Sequence, residues 1–172
     1  MTDPGITADP AVTYRQEQPG DAPAIEALQA ELFGPDRFKR AAYVLRDGVP
    51  PDPALSFVAL ADGRLIASVR MTPILIGATP ALLLGPLVVV PRLKGRGAGK
   101  ALIRMAVAAA RDAGHRVVML VGDLPYYGPL GFTRLARDAI TLPAPVDPDR
   151  VLVAALIEGA LDGLGGNAVR SR

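Results

Sequence analysis

The stretch Pro86-Leu-Val-Val-Val-Pro-Arg-Leu-Lys-Gly-Arg-Gly-Ala-Gly-Lys100 decides the fold, because it joins an apolar run, a glycine loop and the start of an alanine-rich helix. Its last three glycines stand at alternate positions among Lys94, Arg96 and Lys100, and they let backbone N–H groups face a ligand without interference from Cβ atoms. The N-terminus of a helix adds unpaired donors and a partial positive charge. The loop between Lys94 and Lys100 is therefore predicted to bind a phosphate or a pyrophosphate.

The composition limits the classes of protein that fit. The chain has 172 residues, half of them apolar, which suits one domain with a sizeable core. A net charge of +2 argues against broad nucleic-acid binding. The absence of cysteine excludes disulfides and thiolate metal sites, and the single histidine disfavours a histidine cluster. No apolar run is long enough to span a membrane and the polar start is not a signal peptide, so a cytoplasmic location is expected.

The apolar patterns predict one α+β domain. It is expected over residues 12–163, with a flexible lead-in over residues 1–11 and a frayed C-terminus over residues 164–172. Two early helices would precede a mostly antiparallel sheet, with a strand-to-helix crossover at the glycine loop and a hairpin-like ending.

Residues that favour turns or interrupt strands predict where the individual elements begin and end. Asp62-Gly63 between two β-rich runs predicts a hairpin, and Gly85-Pro86 within the strand expected over residues 81–90 predicts a bulge or a splay. The remaining expected elements are helices from Ala22, over residues 36–46 and over residues 99–113, and strands over residues 12–15, 116–121, 132–135 and 139–142 and at the start of residues 151–161.

Two common phosphate-binding motifs do not match the loop. A Walker-type loop would need a glycine where Lys94 stands and a hydroxyl where Ala101 stands. A dinucleotide fingerprint would need its last glycine or alanine at Lys100 or at Leu102.

A third pattern, carried by two segments, resembles a known family. Lys94-Gly-Arg-Gly-Ala-Gly99, which follows Val88-Val-Val-Pro91, resembles the glycine loop of the GNAT superfamily of acyl-CoA-dependent N-acetyltransferases. Further along, Tyr126-Tyr-Gly-Pro-Leu-Gly-Phe132 is similar to the Tyr-x-x-x-Gly-Phe signature of that superfamily. The order of the expected elements also agrees, so the resemblance covers residues 12–142.

One bacterial subgroup, usually described as predicted N-acetyltransferases, shares more of the sequence. Leu84-Gly-Pro-Leu87 is similar to its Leu-Gly-Pro-Leu strand, and residues 122–132 are similar to its Gly-Asp-x-x-Tyr-Tyr-x-x-x-Gly-Phe segment. Lys94 departs from the Gln or Arg that the superfamily prefers, and it keeps the charge but loses the planar fork. Pyrophosphate binding is expected to survive, because backbone N–H groups do most of it.

The resemblance implies a fold and a reaction. The fold would be a central mixed, mostly antiparallel sheet of about seven strands, flanked by helices and splayed at an acyl-CoA cleft. The activity would be transfer of an acetyl group from acetyl-CoA to a primary amine of a small molecule or peptide, with no metal, nucleic acid or membrane as partner. Two alternatives stay open: a non-catalytic CoA-binding sensor or interaction module, and a transferase with a longer acyl donor.

The resemblance also assigns roles to residues. Tyr127 matches the general-acid tyrosine, whose phenol is protonated at neutral pH and would supply a proton to the departing thiolate. A backbone N–H near Val88 or Val89 would polarise the thioester carbonyl. The residues expected to bind CoA are Leu87, Val88, Val89, Lys94, Gly95, Arg96, Gly97, Ala98, Gly99, Lys100 and Tyr126.

The general base stays open, because residues 82–90 carry no acidic side chain. Asp123, just before the tyrosines, is a candidate catalytic residue; Glu31, Asp36 and a chain of water molecules are the alternatives.

Two further expectations concern surfaces. Arg37, Arg40 and Arg46 are expected to form the polar face of a helix, with a grip on an anionic substrate as the alternative reading. Residues 151–161 would support a homodimer by strand pairing or by face packing.

Overall fold

The computed structural model describes residues 11–171. The strands are β1 (Val12–Gln16), β2 (Phe57–Ala61), β3 (Arg64–Ile76), β4 (Thr79–Val89), β5 (Val117–Val121), β6 (Thr133–Arg134), β7 (Ile140–Thr141), β8 (Val151–Ala155) and β9 (Gly166–Arg170). The α-helices are α1 (Ala22–Phe33), α2 (Ala41–Arg46), α3 (Ala98–Asp112) and the single turn α4 (Leu124–Tyr127).

The strands form a mixed, mostly antiparallel sheet. Its main path runs β1-β2-β3-β4-β5-β8-β6, and β9 pairs with β3 and β7. Among the described strands, β4 with β5 and β7 with β9 are parallel, and the other pairs are antiparallel. This confirms the α+β fold class and the expected sheet, with seven strands on the main path and two short strands beside it.

Helices cover both faces of the sheet. On one face, α3 buries Leu102, Ile103, Ala106 and Ala110 against β2, β3 and β4. On the other face, Leu45 of α2 packs in a second core with residues of β3, β5 and β8. Because both faces are covered, β4 and β5 read as nearly continuous apolar runs in the sequence. Each fully buried leucine or isoleucine contributes roughly 1.5–3 kcal/mol to stability.

The sheet opens in its middle, between the parallel strands β4 and β5. They pair at Leu82 with Val118 and at Leu83 with Met119, and the pairing ends there. Just beyond that point the register of β4 on β3 shifts, and Gly85 adopts a φ of 130°. Pro86 has no N–H to donate to a ladder, and this makes β4 irregular at Gly85-Pro86. The irregularity coincides with the end of the pairing between β4 and β5. The expected splay at this dipeptide is confirmed.

The C-terminal segment corrects one prediction. Residues 164–172 were expected to be frayed, but β9 pairs antiparallel with the end of β3, with Arg170 opposite Ile74. Ala168 is buried in the second core, and the Arg170 guanidinium donates to the carbonyl oxygen of Asp47 at 3.0 Å. The sheet and α2 therefore hold this segment in place. The expected lead-in over residues 1–11 lies outside the described residues except for its last member.

A close approach of glycines lets β9 reach the β3–β4 turn, and this makes a stability prediction. Gly77 has a φ of +58°, and a Cβ there would lie 2.6 Å from the carbonyl oxygen of Gly165. We expect Gly77→Ala to lower the free energy of unfolding in urea by about 3 kcal/mol, because it adds a backbone clash to the strain of a positive φ. The matched control is Gly63→Ala at the β2–β3 turn, where φ is +74° and nothing lies within 4 Å. Equal losses for the two variants would contradict the close approach.

The second predicted helix is also shorter than expected. Residues 36–46 were expected to form one helix, but a 3-10 turn over Pro35–Lys39 ends at Arg40, whose ψ of 143° is extended. Only Ala41–Arg46 forms α2, and Phe38 is 60% exposed instead of lying on a buried face. The 11-residue apolar pattern predicted a continuous helix, because the spacing of side chains carries no information about an extended ψ at a single residue such as Arg40.

The position of β8 limits the expected route to a dimer. The strand pairs with β5 over Val151–Ala155 on one side, and with β6 at Leu152 and Val153 on the other. Strand pairing of residues 151–161 with a second copy stays a prediction. Packing of a face of residues 151–161 against a second copy stays a prediction.

Candidate active site

A cleft of about 1200 Å³ occupies the opening between β4 and β5. One end is lined by the glycine loop before α3, and the other end by α2 and the end of α1. The short helix α4 borders it above β5. Parallel strands that part in this way leave a slot at their carboxyl ends, where α/β sheets commonly bind ligands.

The glycine loop presents open backbone to the cleft. Gly95 and Gly97 have φ of +79° and +95°, and a Cβ on either would meet nothing within 4 Å. Gly97 is the N-cap of α3, so the free N–H groups of the first helical turn follow directly. Lys94 and Lys100 line the same end of the cleft. Donors, helix dipole and cations make this end suited to a diphosphate.

The strand β4 offers its backbone to the cleft at alternate residues. The N–H of Val90 donates to the carbonyl of Ile66 on β3 at 2.8 Å. Because directions alternate along an antiparallel ladder, the N–H of Val88 also faces β3, whereas those of Leu87 and Val89 face away from it. Of the two donors expected for the thioester carbonyl, Val89 is therefore the one on the cleft side.

Most of the residues expected to bind CoA lie together along the cleft, and two do not. The side chain of Val88 is buried, only 1% exposed, on the opposite face of β4. Arg96 is not among the lining residues. The expected residues that do line the cleft are Leu87, Val89, Lys94, Gly95, Gly97, Ala98, Gly99, Lys100, Tyr126, Tyr127 and Asp123.

The two tyrosines fill the space between α3 and β5. The Tyr127 ring packs directly over Gly122, where a Cβ would overlap it, and edge-on against Phe132 at 5.9 Å between centroids. The Tyr126 hydroxyl oxygen lies 2.8 Å from the position of a Cβ on Gly99 in the first turn of α3. Tyr126 therefore reaches the phosphate end, and Tyr127 lies deeper over β5.

Burial shapes the acidity of Tyr127. Burial, and after it the neighbouring Tyr126 and Asp123, raise the pKa of its phenol to about 12, while Arg150 acts in the opposite direction. The phenol therefore keeps its proton at neutral pH. A thiol has a pKa of about 8.5, so full proton transfer from this phenol to a thiolate is strongly uphill. Tyr127 is suited to donate a hydrogen bond to a developing negative charge, which narrows the general-acid role predicted from the sequence.

The candidates for the general base differ in their position relative to the cleft. Asp123 lies at the rim, 73% exposed at its side chain, and accepts from Nε of Arg150 at 3.1 Å. Asp36 is exposed beside Lys39, and neither Asp36 nor Glu31 lines the cleft. Within residues 11–171 the other lining carboxylate is Asp147, which already accepts from the N–H of Asp149.

On the opposite wall of the cleft, the arginines were named from the sequence, with a grip on an anionic substrate as the alternative reading, but the aromatic residues beside them were missed. Phe33, Tyr43, Arg40 and Arg46 line this wall, and each arginine lies over a ring of this set. The signal in the sequence was the three-residue spacing of Arg40, Tyr43 and Arg46, which all line the cleft; Arg37, three residues earlier, does not.

Comparisons with known proteins agree with this geometry. The sequence profile of the Acetyltransferase (GNAT) family matches residues 22–132. The crystal structure of the GNAT family N-acetyltransferase YhbS from Escherichia coli, in complex with CoA, is 26% identical with a TM-score of 0.79, covering 99% of this chain and 93% of that one. A GNAT family acetyltransferase from Brucella melitensis, in complex with acetyl-CoA, is 30% identical with a TM-score of 0.58, covering 90% of this chain and all of that one.

A more distant structure shares the fold alone. An Arabidopsis thaliana protein, crystallised with the bisubstrate analogue CoA-Ac-MVNAL, is 13% identical with a TM-score of 0.60, covering 83% of this chain and 97% of that one. Among curated proteins, no sequence matches this chain.

The fold and the cleft define an acyltransferase. The chain belongs to the acetyltransferase (GNAT) family, whose profile covers more than half of it. In the part of the chain that the structure describes, no group of three or more metal-ligating side chains occurs. In that same part, every helix is too short or too polar to cross a membrane.

Proposed function

We propose that this protein is an N-acetyltransferase that transfers the acetyl group of acetyl-CoA to a primary amine, and that the cleft between β4 and β5 binds both substrates. The observation that carries the proposal is the early end of β4–β5 pairing beside an open glycine loop. An extended pantetheine arm would pair with the cleft-facing backbone of Leu87 and Val89, as a peptide pairs with a sheet edge. The diphosphate would then reach Gly95, Gly97 and the N-terminus of α3.

The chemistry requires stabilisation of charge at two atoms. A C–N bond forms and a C–S bond breaks, while the nitrogen loses one proton to water and the departing thiolate takes one proton from water. The N–H of Val89 is placed to stabilise charge on the carbonyl oxygen. The Tyr127 hydroxyl makes no hydrogen bond within residues 11–171, so it is free to donate one to the sulfur as it leaves.

The amine must lose a proton, and the interior of the cleft offers no carboxylate among the described residues to take it. We propose that water within the cleft takes the proton, with Asp123 at the rim as the final acceptor. The same observation favours a second candidate function, a CoA-binding module that does not transfer the acetyl group.

One assay separates the two functions. We expect release of free CoA thiol from acetyl-CoA in the presence of at least one member of a panel of amino acids, polyamines, amino sugars and short peptides. Calorimetry measures CoA binding on the same sample. CoA binding without thiol release for any amine would overturn catalysis and leave the binding module, and absence of CoA binding would overturn both.

A further inference from the structure

Within residues 11–171, a cation without an acidic partner lies at the α2 end of the cleft. Arg46 is the last residue of α2 and lines the cleft, and its guanidinium lies 3.5 Å from the position of a Cβ on Gly85. Gly85 marks the point where β4 leaves β5. Arg46 therefore reaches the bottom of the opening, at the end away from the phosphate-binding loop.

Among the described residues, Tyr43 holds this guanidinium, through its ring and a side-chain hydrogen bond. Its central carbon lies 4.3 Å from the centroid of the Tyr43 ring, and across residues 11–171 no carboxylate forms an ion pair with it. The carboxylate of Glu26 also attracts it, but Glu26 is already bonded to Arg70 at 3.0 Å. Burial lowers the pKa of Arg46 to about 10, which still leaves it cationic at neutral pH.

The surroundings of Arg46 are themselves cationic and aromatic. Arg40 lies over the ring of Phe33 at 5.3 Å and lines the same wall, also without an acidic partner in the described chain. Contact with the face of an aromatic ring offsets only part of the free energy needed to remove a guanidinium from water. An arginine fork is completed by a planar oxyanion, which it binds with two parallel hydrogen bonds.

We propose that Arg46 binds an anionic group of the acceptor, so that the amine acetylated here also carries a carboxylate or a phosphate. The inference rests on the proposed function, because it treats the α2 end of the cleft as the acceptor site. Phe33 and Tyr43, which line the same wall, would pack against the apolar part of such an acceptor. Fully cationic acceptors such as polyamines would be repelled by Arg40 and Arg46.

The test compares matched amines on the wild type and on Arg46→Gln. The pairs are amino acids with their amides, and aminoalkyl phosphates with the corresponding amino alcohols. We expect the wild type to prefer the anionic member of at least one pair. Arg46→Gln should lower kcat/KM for that member about tenfold and leave its neutral counterpart within about threefold, as for loss of one charge-assisted contact. Which pair responds tells a carboxylate from a phosphate.

Control variants and the Kd for CoA distinguish a loss of anion recognition from a general loss of activity or of folding. Arg46→Lys keeps the charge without the fork and should lose part of the preference. Arg104→Gln, on the exposed face of α3, should leave every ratio unchanged. The Kd for CoA reports that each variant is folded. Equal losses on anionic and neutral amines would overturn the inference and leave the proposed function standing. No transfer to any amine by the wild type would overturn the proposed function, and this inference with it.

Discussion

Replacing Tyr127 by Phe is expected to lower kcat about 100-fold and leave the Kd for CoA unchanged, as for loss of one group that stabilises the transition state. The ring keeps its packing over Gly122 and against Phe132, so only the hydroxyl is removed. Since that hydroxyl has no hydrogen-bond partner in residues 11–171, its loss leaves no protein group unsatisfied. Steady-state kinetics with the best amine, together with calorimetry, measures both quantities.

The matched control is Tyr126→Phe, which removes the neighbouring hydroxyl at the phosphate end of the cleft. We expect it to weaken CoA binding a few-fold and to change kcat little. Because the pKa of Tyr127 is raised to about 12, the pH profile of wild-type kcat should show no loss from ionisation of this phenol below pH 10. A normal kcat for Tyr127→Phe would contradict the role proposed for Tyr127. A larger fall in kcat for Tyr126→Phe than for Tyr127→Phe would contradict it as well.

Replacing Gly97 by Ala is expected to weaken CoA binding at least 20-fold, equivalent to about 2 kcal/mol. Gly97 has a φ of +95°, and it is the N-cap of α3. A side chain there strains the backbone and projects a methyl group into the space proposed for the diphosphate. Calorimetric titration with CoA measures the change.

The opposite end of the same helix supplies the control. Gly114 follows α3 with a φ of +88°, and a Cβ there also meets nothing within 4 Å. Gly97→Ala and Gly114→Ala should therefore cost similar stability, about 1 kcal/mol each, since both place a methyl group on a left-handed residue. Only the former should affect CoA. Equal affinities for the two variants would place the phosphate site elsewhere.

The central part of the fold was predictable because its signals are local. The Asp62-Gly63 hairpin, the helix after the glycine loop and the bulge at Gly85-Pro86 each depend on the conformational preferences of a few neighbouring residues. Gly-Pro carries the most information of these, since one dipeptide predicted both the irregular strand and the splay beside it.

The errors lie where distant parts of the chain decide the structure. The strand β9 has little apolar character of its own, and it is ordered by pairing with β3 and by the bond from Arg170 to Asp47, 123 residues away. The break at Arg40 likewise depends on how α2 packs on the second core. Propensity and periodicity do not contain these contacts.

The candidate site divides in the same way. The glycine loop and the two tyrosines that line the cleft belong to short motifs, so the sequence predicted that they would lie together. The arginine wall of the site and the exclusion of Glu31 and Asp36 from the cleft follow only from the path of α1 and α2 over the sheet. The pairing of Arg70 with the mostly buried Glu17 and the half-exposed Glu26 was equally invisible in the sequence.

The parting of β4 and β5 has a thermodynamic consequence. It leaves an unpaired strand edge inside the domain. There, the cleft-facing backbone groups of Leu87 and Val89 form their hydrogen bonds with solvent or with a bound ligand. A ligand that completes this edge binds the native state alone and adds about 2.7 kcal/mol to its stability at 100 times its Kd. Under the function proposed above, acetyl-CoA is such a ligand, so we expect the thermal stability of the protein to rise with the concentration of its acetyl donor.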